Sequence, residues 1–189
     1  MATLGELATV LGIFGTVTAT ALPRVLTGLD EARVAGAARY LSSRLADSRM
    51  EAVARSREAA LRFTPEGGTY SFSTYIDGNG NGVLTRDIQR GIDRRLRGPE
   101  RLSDNFRSVE FGVEPGLPAI AAGGAPPGGD PIKLGAGNSV SFSTLGTATS
   151  GTIYLTSRGR AQYAVRVFGA TGKIRVYRFN KGTGKWLPA

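Results

Sequence analysis

Three groups of residues have the types and spacing to do chemistry. The first is a single carboxylate, Glu6, in the apolar run MATLGELATVLGIFGTVTATALP, which holds no Lys or Arg and closes on Pro23. An acid in an apolar helix costs about 2.5–3.5 kcal/mol at the centre of a lipid layer and less near its edge, so Glu6 calls for a partner. The second is Asp77-Gly78-Asn79-Gly80-Asn81-Gly82. It places oxygens at positions 1, 3 and 5 and Gly at position 6, as the first half of a calcium loop does. The twelfth position is Ile88, with Asp87 one residue early, so the set Asp77, Asn79, Asn81 and Asp87 is a weak Ca²⁺ candidate. The preferred reading is a glycine-rich turn in which Asn and Asp accept unusual backbone angles, with no metal or cofactor. The third group lies in a C-terminal hairpin, where a loop at 169–172 pairs Phe168 with Lys173 and Arg166 with Arg175. Arg166, Lys173 and Arg175 then share one face. Like charges set opposite each other are mildly destabilising and invite an anion.

Composition removes other chemistries. The chain has 189 residues with no Cys and no His. Thiolate sites and disulfides are excluded, and the commonest general base is missing. No nucleophile–base pair suggests itself among the remaining residues, so the expectation is a protein that is not an enzyme. The net charge of +9 is unevenly placed. Residues 131–189 hold Lys133, Arg158, Arg160, Arg166, Lys173, Arg175, Arg178, Lys181 and Lys185 and no acid. A basic face of this kind is either solvated or a site for nucleic acid or lipid headgroups.

The elements that must position these groups follow from periodicity. Residues 2–23 as a helix would span about 33 Å, matching a hydrocarbon core of about 30 Å. Gly5, Gly12 and Gly15 would permit close packing. A cleaved signal peptide, with Ala19-Thr20-Ala21 as cleavage site, is a rival reading, opposed by the lack of a basic start. Pro23 is followed by no break. Val34, Ala37, Ala38, Leu41 and Leu45, then Met50, Val53 and Ala54, recur at helical spacing. The spacing predicts three segments: 1–23 an apolar transmembrane or filament-core helix, 24–61 its amphipathic continuation, and 62–189 a β-rich domain. Strands are expected at 60–63 and 69–76 around the turn 65–68, at 108–113, 139–143, 152–155, 162–168 and 173–179. Residues 77–105 read as irregular, and 114–137, rich in Pro and Gly, as a long surface loop. Trp186 reads as a lid on the core.

The chain resembles the type IV pilin-like proteins. Ala2-Thr3-Leu4-Gly5-Glu6 sits in the frame of their mature N-terminal signature, with Pro23 seventeen residues beyond Glu6. The later motifs are similar to those of the GspH/FimT family of minor pilins and pseudopilins. They are Arg49-Met50-Glu51-Ala52, Asp77–Gly82, Phe142-Ser143-Thr144-Leu145-Gly146 and Gly172-Lys173-Ile174-Arg175. The resemblance implies an α+β, pilin-like fold, with a long N-terminal helix packed on antiparallel β-sheets. It implies a structural subunit of a type II secretion pseudopilus or type IV pilus, anchored by a single pass in the inner membrane, with a periplasmic or extracellular domain. Other pilin or pseudopilin subunits would be its partners through the helix. Glu6 would pair with a neighbour's amino terminus and, with Pro23, serve assembly. Prepilin peptidase would act where a leader exists; here Met1 stands in place of the family's processing Gly and Ala2 in place of its Phe, so a truncated, redesigned or differently processed start is expected. In FimT-like members a basic Gly-Arg-x-Arg motif is associated with DNA uptake, which makes a DNA-binding minor pilin the alternative. Gly172-Lys173-Ile174-Arg175 matches it with Lys for Arg, a point charge in place of a bidentate fork.

Overall fold

The computed structural model describes residues 4–121, 123–135 and 137–189, and the side chains of residues 4 and 6–27 lie outside that description. A single helix, α1, runs Leu4–Ala54. Its second half is the spine of the domain. Asp30, Val34, Ala37, Ala38, Leu41, Leu45, Ser48 and Ala52 are buried, at steps of one, three and four that keep them on one face.

The expected boundary at 61 is corrected. Helix α1 stops at Ala54 because Ser56 takes a positive φ of 50°. The Arg57 N–H then reaches the Ala52 carbonyl and the Ser56 N–H the Val53 carbonyl, the paired bonds of a left-handed C-terminal cap. Glycine usually holds that position, so Ser56 gives no stop signal in sequence. The expectation that Met50, Val53 and Ala54 continue the buried stripe is also corrected. Met50 and Val53 are 68% and 50% exposed, and Ser48 and Ala52 take the inward places. Ser48 is accommodated because its hydroxyl donates to the Arg44 carbonyl and meets Thr74 Oγ1.

Two antiparallel sheets flank the helix. The first has the order β3-β2-β1-β6, with β1 Ala59–Glu66, β2 Thr69–Ile76, β3 Arg94–Arg101 and β6 Ser139–Phe142. β1 runs through Pro65 in register with Tyr70, so the turn is Gly67-Gly68 alone. Both glycines have positive φ, as a two-residue hairpin turn requires. The second sheet has the order β10-β9-β8-β7-β4, with β5 also on β7. Its strands are β4 Val109–Phe111, β5 Ile132–Lys133, β7 Gly151–Ser157, β8 Ala161–Phe168, β9 Lys173–Asn180 and β10 Lys185–Pro188. Short helices α2 Thr85–Gln89 and α3 Leu102–Asn105 flank β3. The segment 77–105, expected to be irregular, thus contains a strand and both short helices.

The core lies where α1 meets both sheets: Leu41 and Leu45 from the helix, Phe63, Phe72 and Phe142 from one sheet, Leu155, Val165 and Val167 from the other. Phe111 sets its ring edge-on to Phe63 and Tyr70. Trp186 is elsewhere. It packs on Tyr154 and Phe179 and donates its indole N–H to the Pro118 carbonyl, which pins the 114–131 loop to the outer face of the second sheet. The fold is α+β and pilin-like, as expected. Among the described residues, no helix is long and apolar enough to cross a membrane; the side chains of the 1–23 segment expected to do so fall outside the described ones.

Candidate functional site

The C-terminal hairpin takes the expected register. Arg166 faces Arg175 and Phe168 faces Lys173. Alternation sends Val165 and Val167 into the core and turns Arg166 and Phe168 outward. The two guanidinium groups lie 5.2 and 5.8 Å from the centre of the Phe168 ring, so one aromatic ring serves both cations and offsets part of their repulsion. Lys173 and Arg175 are exposed and Arg166 half-buried. A shallow cavity of about 400 Å³ beside them is lined by Ser150, Thr152, Arg166 and Phe168. Burial against the sheet pushes the Tyr154 phenol up, with Arg166 pulling the other way.

Other cations of the last third are spent inside the molecule. Arg160 pairs with Asp30, Arg178 with Glu31 and Lys181 with Glu114. These pairs tie the β7–β8 turn, β9 and the β9–β10 turn to the helix and to the 114 loop. Among the described residues, no carboxylate pairs with Arg166, Lys173 or Arg175. Such a face can hold phosphates or carboxylates by charge alone, without reading sequence.

The Asp77–Gly82 loop is organised by its own acids. Asp77 Oδ1 accepts the N–H groups of Asn79 and Gly80, and Oδ2 that of Gly82. Burial would raise its pKa, but these backbone bonds outweigh burial and hold the carboxyl below its ordinary value. Asp93 accepts the N–H groups of Gly78 and Leu84. The Arg57 guanidinium donates to the Gly78 carbonyl at 2.8 Å and to that of Asp77 at 3.3 Å. Asp87 accepts the Asn81 amide. Of the Ca²⁺ candidates, the structure joins Asn81 to Asp87 and turns Asp77 onto backbone. Among the described residues, no three His, Cys, Asp or Glu stand close enough to share a metal. The Glu6 and Pro23 side chains lie outside the described ones.

Motifs far apart in the sequence meet in the fold, a contact that no local pattern signals. Arg49 lies against Gly146 and Gly172, where its guanidinium would be 3.0 and 3.3 Å from any added Cβ. Gly172 has a positive φ of 58°, and a Cβ there would fall 2.2 Å from the Gly146 carbonyl oxygen. The helix, the 143–147 turn and the β8–β9 turn therefore close on one another through two glycines and one arginine. The family described as Type II transport protein GspH matches residues 37–171, from the middle of α1 to the turn before β9.

The chain belongs to the GspH family. No curated protein and no solved structure matched. GspH proteins are pseudopilins, structural rather than catalytic, that are membrane-anchored in secretion systems and assemble with other pseudopilins. In this GspH protein, the matched region holds Arg49, Gly146 and the first strand of the hairpin, β8, while β9 and β10 lie beyond it.

Proposed function

We propose that this GspH-family chain is a minor subunit of a type II secretion pseudopilus or type IV pilus. Its N-terminal helix anchors it by a single pass in the inner membrane before assembly and joins the helices of other pilin or pseudopilin subunits afterwards. The β-rich domain is then periplasmic or extracellular. Glu6 meets the amino terminus of a neighbouring subunit, which offsets its desolvation and sets the axial register; Pro23 marks the end of the packed segment. Where a leader precedes this sequence, prepilin peptidase removes it. The observation that carries the reading is the division of α1. The domain is built onto its second half, from Asp30 to Ala52. Residues 4–27 add about 36 Å of helix at 1.5 Å per residue, enough for a hydrocarbon core of about 30 Å. Replacing Glu6 by Ala and measuring both domain stability and entry into filaments tests it.

A second reading, a DNA-binding subunit, is supported by Arg166, Lys173 and Arg175, which stand unpaired around Phe168. Gel shift with DNA of arbitrary sequence should show binding that weakens steeply with salt. Replacing all three by Ala should lower affinity about tenfold or more at low salt and flatten the salt dependence. Binding unchanged by the triple replacement would remove this reading.

A further inference from the structure

Helix α1 carries a second apolar face that the domain does not cover. Ser42, Ala46, Arg49, Met50 and Val53 recur at steps of three, four and one, and with Ile174 they border a groove of about 790 Å³ between the helix and the β8–β9 turn. From Ser42 to Val53 the groove follows about 16 Å of helix, three turns. Ser42 and Ala46 are small and let a second backbone approach closely. Met50, largely exposed, is unbranched and adapts to the shape set against it.

Its charge defines the occupant. No acid lines the groove, and Arg49 and Lys173 stand on it. Among the described residues, the Arg49 guanidinium has neither hydrogen bond nor ion pair, although it is half-buried and held in place between Gly146 and Gly172. The neighbouring acids are engaged, Glu51 with Arg55 and Asp47 with Arg44 and Arg97. A positioned arginine without a carboxylate, beside an apolar face of helical length, lacks an acid that another chain can bring. A second copy set groove to groove would oppose Arg49 and Lys173 to their own duplicates, which like-charge repulsion disfavours.

We propose that this groove receives an amphipathic helix from a different subunit. Its apolar face sits on Met50, Val53 and Ile174, and one of its carboxylates pairs with Arg49. This rests on the reading of the chain as an assembled subunit.

The test places the photo-crosslinking residue p-benzoylphenylalanine at Met50 of the full-length chain, in cells that assemble the filament. A control label goes at Thr183, in the exposed β9–β10 turn. Crosslinked peptides are sequenced, and recovery of the chain in filaments is measured in the same preparations. The expected Met50 product joins a helical segment of another protein that bears an acid within one turn of the crosslink. Arg49→Glu should reduce that product at least fivefold, and changing the partner's acid to Arg should restore it. Products only with another copy of this chain, or products insensitive to Arg49→Glu, would overturn the proposal. A chain recovered in filaments with no Met50 product overturns the groove alone, whereas a chain never recovered in filaments overturns the subunit reading as well.

Discussion

Gly172 and Asp77 show how single residues hold the turns of this molecule. At Gly172 an L side chain meets two obstacles: a positive φ of 58° and the Gly146 carbonyl 2.2 Å from the added Cβ. Gly67 has the same φ and open space around it. Gly67→Ala should therefore cost about 1 kcal/mol from backbone strain alone, and Gly172→Ala distinctly more, with the difference read by chemical denaturation. Asp77 gives a pH dependence. Its pKa is lower folded than unfolded, since backbone N–H bonds outweigh burial. The unfolded chain therefore binds more protons near pH 4, the ordinary range for this group. The stability Asp77 contributes is complete above that range and is lost as pH falls through the folded value. Asp77→Asn should lower the melting temperature at pH 7 and flatten its fall below about pH 4. With its carboxylate already satisfied by backbone, millimolar Ca²⁺ should leave the wild-type melting temperature unchanged; a rise would favour the calcium reading. The Asp77–Gly82 turn was legible because Asn, Asp and Gly mark turns by chemistry. Arg49 was not, because its neighbours come from positions 146 and 172.

At the scale of elements, the helix is the spine of the domain, and its two apolar faces separate by experiment. Leu41 is fully buried between the sheets, so Leu41→Ala should cost about 2–5 kcal/mol. Met50→Ala, on the uncovered face, should stay within about 0.5 kcal/mol. Equal losses at both positions would contradict the burial described. Periodicity found the buried stripe as far as Leu45 and then followed hydrophobicity to Met50 and Val53. The true stripe continued through Ser48, a polar residue tolerated only because it bonds to Arg44 and Thr74. Strand β3 escaped for a related reason. Its sequence RRLRGPER lies at the edge of a sheet and buries little, and ion pairs such as Arg101–Glu66 and Arg97–Asp47 hold it. Hydrophobic alternation reports burial, so an edge strand built on charge is silent to it. The β8–β9 register was legible because loop length fixes pairing and alternating valines fix the face.

At the scale of the whole molecule, the charge gradient and the long helix bear on the same function. The acids Asp30, Glu31 and Glu114 neutralise three cations of the basic last third, and the hairpin keeps Arg166, Lys173 and Arg175 turned outward. Among the described residues, the part of the helix that enters the core runs from Val34 to Ala52. Stability and assembly should accordingly be separable. The most direct test compares Glu6→Ala with the wild-type chain in cells that assemble the filament. Domain stability is followed by thermal melting and incorporation by recovery of the chain in sheared filaments. The expected result is an unchanged melting temperature with incorporation reduced at least tenfold. Wild-type incorporation by the variant would contradict it.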